Sequence, residues 1–276
     1  MYPIPPRVAA VHDLSCFGRC SLAVIAPILS AMGVQCCPLP TGIFSTHTGG
    51  FTDIAIHDLT DYLTPAAGHW RGLGIGFDAI YTGFLASHRQ IAVVEELFDI
   101  LPARIKLVDP VMGDDGRPYS TYTPDMCADM IRLARRADIL TPNLTEACIL
   151  LGLPYPSAPP SWDEAAGMLS RLRLLGPDIC VITGLHLADG RYGAAISWDD
   201  ATAFAQAMHV GEHYPGTGDI FASVFLGAFL RGYSPINAAQ TAADFVRGCA
   251  AATLASGTPP REGVAFELMM GQLCSM

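Results

Sequence analysis

Lysine is almost missing from this chain. Its 276 residues contain one, Lys106, beside fifteen arginines. That excludes a Gly-x-x-x-x-Gly-Lys-Ser/Thr phosphate loop and leaves a Schiff-base enzyme only a lysine at the start of a predicted strand. Charge of both signs is sparse at 15% of residues, and the net charge is −10. Such a balance argues against nucleic acid or an anionic membrane as partner, and a polyanionic ligand would need a metal ion and backbone donors. Long hydrophobic runs are lacking too: the longest, Leu22 to Val34, is too short to span a bilayer. The start, Met1 to Arg7, is proline-rich with no apolar leader core, so a cytoplasmic setting is expected. Nine cysteines form no framework. Cys16 and Cys20 are four apart, Cys36 and Cys37 adjacent and the rest scattered, which predicts reduced thiols and no disulfide or zinc site.

What is present is an alternation of strands and helices. Short apolar strands are expected at Val8–His12, Val34–Pro38, Ala79–Thr82, Lys106–Asp109, Ile139–Thr141 and Cys180–Thr183. Helices are expected at about Ser21–Met32, with Ser21 as N-cap and a kink at Pro27, and at Arg89–Leu101, Pro124–Arg136, Thr145–Leu151 and Trp162–Leu175. This order implies a mostly parallel sheet covered on both faces. Tyr192–Ser197 and Thr202–Gln206, joined by Asp199-Asp200, read as an antiparallel edge hairpin. Three helices follow, Gly218–Arg231, Pro235–Ala255 and Val264–Cys274. No repeat or linker divides residues 1–276, so one domain is expected, with Pro154–Pro160 a surface loop.

In such sheets ligands sit beyond the carboxyl ends of the strands. The polar residues there are His12-Asp13, Thr41–Gly50, Gly83-Phe84, Asp109–Gly116, Thr141–Glu146 and Thr183-Gly184. Gly216-Thr217-Gly218-Asp219 runs from a loop into an apolar helix. Its unpaired amides and dipole suit an anion, and Asp219 beside them suits a general base for a hydroxyl; an ordinary aspartate in a first helical turn fits equally well. Asp109, Asp114 and Asp115 offer carboxylates for magnesium, or form a solvated Asp-Gly turn. Asn143 and Glu146 can close a capping box, or face phosphate and a metal-bound water. Ser45-Thr46-His47-Thr48 can hold a flat polar ring, or make a hydrogen-bonded turn. Gly72-x-Gly74-x-Gly76 precedes a strand where a dinucleotide site would follow one, so it is read as a loop.

Taken together, Phe44-Ser45-Thr46-His47-Thr48-Gly49, Tyr81-Thr82-Gly83-Phe84, Asp109-Pro110-Val111-Met112-Gly113-Asp114, Thr141-Pro142-Asn143-x-x-Glu146, Val181-Ile182-Thr183 and Gly216-Thr217-Gly218-Asp219 resemble, in order, the motifs of pyridoxal kinases within the ribokinase-like kinases. The likeness runs from about Arg7 to Ala255 and is strongest to the bacterial pyridoxamine kinase branch. It implies a three-layer α/β/α fold and ATP- and Mg²⁺-dependent phosphorylation of the 5′-hydroxymethyl group of pyridoxal, pyridoxamine or pyridoxine. A monovalent cation is a further candidate cofactor, and a homodimer is expected.

By position, the resemblance makes Asp219 the base and Gly216, Thr217 and Gly218 the anion hole. Asp109, Asn143, Glu146, Thr183 and Gly184 would face ATP, and Asp114, Thr141 and Glu146 the metal. Asp13, Ser45, His47, Thr48 and Phe84 would line the vitamer site. Asp13 stands where many relatives carry serine, so an anionic contact favouring a protonated pyridine or the amine of pyridoxamine is expected. Phe84 replaces a common tyrosine. The competing readings are a hydroxymethylpyrimidine kinase and a non-catalytic vitamer-binding protein on the same fold.

Overall fold

A computed structural model describes residues 4–211 and 214–274; the first three residues of the leader reading and the ends of the expected domain lie outside them. In chain order the elements are β1 (Arg7–Ser15), α1 (Leu22–Ala31), β2 (Gln35–Phe44), β3 (Ile56–Asp58), α2 (Thr60–Gly72), β4 (Phe77–Thr82), α3 (His88–Ile100) and β5 (Ala103–Val108). A small ribbon of β6 (Gly113–Asp114) and β7 (Arg117–Pro118) follows, then α4 (Pro124–Ala134), β8 (Ile139–Leu140), α5 (Leu144–Leu151) and α6 (Trp162–Arg173). The chain continues through β9 (Ile179–His186), β10 (Tyr192–Trp198), β11 (Ala201–Ala207), α7 (Thr217–Leu230), α8 (Pro235–Ser256) and α9 (Met270–Cys274).

One nine-stranded sheet carries the molecule, in the order β11-β10-β9-β8-β5-β4-β1-β2-β3. The strands from β2 to β9 across its middle pair in parallel. Side chains alternate between faces along a strand, and β1 shows what that does: Val8 and Ala10 enter one core, Ala9 and Val11 the other. The first core is closed by α1, α7, α8 and α9, the second by α2 to α6. This is the expected three-layer ribokinase-like α/β/α arrangement. Both faces being covered explains why β1 and β4 read as unbroken apolar runs. The hairpin closes one edge as expected: Trp198 pairs with Ala201 across Asp199-Asp200, and Asp199 takes φ 44°, as a two-residue hairpin turn requires.

Several boundaries differ from expectation. β1 continues past His12 to Ser15 with a register shift between His12 and Leu14, so Asp13 lies on a strand at the sheet's centre. β2 likewise runs on to Phe44 and takes in Thr41. β3 and α2 have no counterpart in the sequence reading; Pro65, Gly68 and Gly72 within α2 mask its helical character. α7 starts at Thr217, and it is buried all round from Ile220 to Ala228 instead of along one face, with α8 and α1 packed against it. The last expected helix, Val264–Cys274, begins as a 3-10 turn at Phe266–Met269 and is α-helical only in α9, and a separate 3-10 turn at Pro260–Glu262 precedes it.

Candidate active site

The segment after β1 and Asp109 after β5 meet the first turn of α7. Gly216, the N-cap of α7, has φ 80°, and a Cβ there would stand 2.0 Å from the Arg19 carbonyl oxygen. Only glycine fits that approach. The first backbone bond of α7 runs from the Ile220 N–H to the Gly216 carbonyl (3.0 Å), so the amides before Ile220 precede the helical ladder. They form the partly positive end of a 14-residue helix, and Gly218 is exposed there. Asp219 sits in the same turn, half-buried, its Oδ2 accepting the Ser21 N–H at 2.9 Å. Burial, and then the nearby Asp13 charge, hold its carboxyl up to about 7 against the lowering pull of the Ser21 N–H.

Asp109 leaves β5 opposite this turn. A Cβ on Gly218 would lie 3.8 Å from Asp109 Oδ2, which brings the two loops together. Asp109 is 5% exposed and accepts the Thr141 hydroxyl at 3.2 Å. Burial and the repulsion of Asp219 raise it to about 8. Each of the two carboxyls therefore keeps its proton to a higher pH than it would in water.

Glu146 and Asn143 fill the structural half of their two readings completely. Asn143 caps α5, its Oδ1 accepting the Glu146 N–H (2.9 Å) while Glu146 Oε2 accepts the Asn143 N–H (2.8 Å). The other Glu146 oxygen accepts the Met112 N–H at 3.1 Å, and Asn143 Nδ2 donates to the Gly113 carbonyl at 2.8 Å. The capping box thus also fastens the loop after β5. Glu146 is buried, and burial followed by the Asp109 charge pushes its carboxyl well above the carboxylate range. Asp114, half-buried, lies on the small ribbon, its Oδ1 accepting the Asp115 N–H at 2.9 Å. Among the described residues no three His, Cys, Asp or Glu side chains come together as a metal site; the expected set of Asp114, Thr141 and Glu146 has two carboxylates and a hydroxyl. The donors are hard oxygens, which suits magnesium only if phosphate and water complete its shell. Thr183 and Gly184 lie inside β9, not after it. The Thr183 N–H donates to the Pro142 carbonyl (2.9 Å), and Gly184, at φ 59°, is exposed beside a register shift against β10.

The Ser45–Thr48 loop lies beside the approach to α7: a Cβ on Gly49 would stand 3.6 Å from Pro215. His47 Nδ1 accepts the Gly49 N–H at 3.1 Å, which leaves the proton on Nε2, donated to the Arg261 carbonyl at 2.8 Å. Burial lowers this imidazole's pKa, so it is neutral. Gly18 packs on its ring so closely that a Cβ would stand 2.3 Å from Cδ2. Phe51 meets the ring edge-on at 5.0 Å. Ser45 and Thr48 are exposed, and Ser45 Oγ accepts the Ala55 N–H at 3.0 Å. Phe84, half-buried, lies between Phe44 (6.4 Å) and Tyr122 (6.3 Å).

Two results depart from the sequence reading. Asp13, expected against the pyridine, is 3% exposed, with one oxygen taking the Ser15 hydroxyl (2.8 Å) and the other the Ser21 hydroxyl (2.6 Å). Ser21, expected to cap α1, makes no side-chain cap bond and has φ 52°, ψ −137°. Ser15 and Ser21 are two and eight residues from Asp13, but the partner of the Ser21 N–H, Asp219, lies 198 residues on, where no local pattern announces it. Ser21 and Arg261 are the participants that motif reading passed over.

The profile described as phosphomethylpyrimidine kinase matches residues 28–261. The chain is 36% identical to a Bacteroides thetaiotaomicron protein, described as a phosphomethylpyrimidine kinase and solved with pyridoxal, covering 99% of this chain and 96% of that one with a TM-score of 0.92. It is 31% identical to the pyridoxal kinase of Lactobacillus plantarum, covering 98% and 97%, with a TM-score of 0.89. The hydroxymethylpyrimidine/phosphomethylpyrimidine kinase of Mycobacterium tuberculosis is 26% identical over 252 residues, 89% of this chain and 88% of that one. No described helix is long and apolar enough to cross a membrane.

Proposed function

We propose that this chain, which belongs to the phosphomethylpyrimidine kinase family, phosphorylates the 5′-hydroxymethyl group of a vitamin B6 vitamer with ATP. One observation carries the reading: a carboxylate held up to about 7 stands in the exposed first turn of α7, beside amides that precede the helical ladder. Asp219 removes the hydroxyl proton, the oxygen attacks the γ-phosphorus, and ADP leaves with the bridging electron pair. The amides of Gly216, Thr217 and Gly218 hold the transferring phosphoryl oxygens. Such a step asks for position and neutralised charge more than for covalent chemistry. With the one lysine standing on β5 as Lys106, neutralisation falls to backbone donors and metal. Magnesium, when bound, neutralises phosphate charge; Asp109, Asp114 and Thr141 would hold it together with phosphate oxygens. Glu146 and Asn143 set the loop that presents these groups, and Thr183 and Gly184 border the nucleotide.

His47, Ser45, Thr48 and Phe84 form the vitamer wall, supported by the Bacteroides relative solved with pyridoxal and by the Lactobacillus pyridoxal kinase. The Mycobacterium relative supports a second acceptor, hydroxymethylpyrimidine; both rings present a hydroxymethyl group to the same base. A cytoplasmic homodimer completes the reading, checked by light scattering. The deciding assay supplies ATP and Mg²⁺ with each B6 vitamer and with hydroxymethylpyrimidine separately. Turnover on the vitamers at the higher kcat/KM is expected. Turnover on the pyrimidine alone would keep the chemistry and replace the substrate, and vitamer binding without turnover would replace the activity.

A further inference from the structure

Ser21 is one of four non-glycine residues with positive φ among those described, the others being Asp53, Asp115 and Asp199. At φ 52°, ψ −137° it occupies a region that glycine enters freely and serine enters only under strain. Something must hold it there. The Ser21 carbonyl accepts the α1 N–H groups of Val24 and Ile25, both at 2.9 Å, but its side chain gives that turn no cap bond. The hydroxyl is instead donated to Asp13 Oδ1 at 2.6 Å, the shorter of the two serine contacts on that carboxylate. In this conformation the Ser21 N–H points at Asp219 Oδ2, 2.9 Å away. Asp13 lies on β1, Ser21 at the start of α1 and Asp219 at the start of α7, so the three join separate elements. Asp13 is 3% exposed and Ser21 6%, which keeps water from replacing either bond.

We infer that Asp13 is a positioning residue: by anchoring the Ser21 hydroxyl it fixes a strained backbone turn whose N–H aims the carboxylate of Asp219. The inference rests on the reading of Asp219 as the base. It places Asp13 behind the reacting groups instead of against the substrate ring. Its effect should therefore fall on turnover, not on vitamer affinity.

Alanine and glycine at position 21 separate the two parts of this device. Both remove the hydroxyl and leave Asp13 equally short of a partner, but only glycine takes φ 52° without an anchor. Ser21→Ala should lower kcat by about 10- to 100-fold, the scale of a misaimed catalytic group, with the vitamer KM within about twofold. Ser21→Gly should lose much less. Asp13→Ala should behave as Ser21→Ala does, and adding Ser21→Gly to it should restore kcat. Equal activity of Ser21→Ala and Ser21→Gly, no rescue of Asp13→Ala by Ser21→Gly, or a change confined to the vitamer KM would overturn the inference. Should Asp13→Ala fail to fold, the Ser21 pair alone decides. Crystal structures of the Ser21 variants give a readout that needs no turnover. Glycine should keep φ near 52° and its N–H on Asp219, and alanine should swing away. Those geometries in a protein that phosphorylates nothing would leave the turn as inferred and reject the kinase reading; alanine keeping the turn would reject the inference whatever the activity.

Discussion

Replacing Asp219 with asparagine should make the protein more stable and nearly inactive, and the gain should depend on pH. The carboxyl is raised from 3.8 to about 7, first by burial. Between those values the folded protein holds a proton that the unfolded chain has released, so stability falls as pH rises through the window and levels off above it. About three pH units at ~1.4 kcal/mol each set a ceiling of roughly 4 kcal/mol. Asp219 keeps some solvent contact, which halves this to about 2 kcal/mol, or about 4 °C in Tm for a chain of this size. Asparagine carries no charge to desolvate, and its oxygen can still accept the Ser21 N–H. Thermal melts of both proteins at pH 4, 5, 6, 7 and 8 should coincide at pH 4 and diverge in favour of the variant up to about pH 7. In the coupled assay the variant should lose a factor of about 10²–10⁴ in kcat, as expected of a missing general base. The wild-type kcat/KM should itself fall below pH 7, where the base is protonated. Parallel melting curves at every pH, or a variant that keeps full turnover, would refute the argument.

Two further outcomes test the scaffold. Gly216→Ala forces a Cβ to 2.0 Å from the Arg19 carbonyl at φ 80°, so it should displace the first turn of α7 and lower kcat at least 100-fold; an active variant with an unchanged Tm would contradict the close approach. Glu146→Ala removes the acceptor of both the Asn143 and Met112 amides and should cost about 2–4 kcal/mol, seen as a Tm lower by several degrees, whereas Glu146→Gln, which keeps one acceptor oxygen, should lose about half of that.

Elements governed by neighbours in sequence were legible from it. Val8 to Val11 form a strand wherever both faces are covered, and Asp199-Asp200 must turn between two alternating runs. The Asn143–Glu146 spacing predicts its own capping box, although it does not say that the box would occupy both Glu146 oxygens and leave the side chain little for a metal. What stayed hidden is set by distant partners. Ser21 has the look of a helix cap, but its hydroxyl goes back to Asp13 on β1 and its N–H to Asp219 on α7, a partner 198 residues away. Asp13 resembles an exposed loop acid until the strand is seen to run on to Ser15. α2 escaped because proline and glycine within it lower its local helical preference while tertiary packing supplies what propensity lacks.

The turn Pro260–Glu262 carries none of the reacting groups, yet it and the glycine after it meet three segments that build the site. The Arg261 carbonyl takes the His47 ring proton, the Glu262 carbonyl takes the Arg19 N–H at 3.0 Å, and Gly263 packs against the Pro215 carbonyl. The vitamer wall, the loop after β1 and the approach to α7 are therefore clasped by one short stretch near the far end of the chain. Their spacing is set jointly, so a one-residue insertion between Pro259 and Gly263 would detune acceptor and base together while leaving every side chain of the chemistry in the sequence.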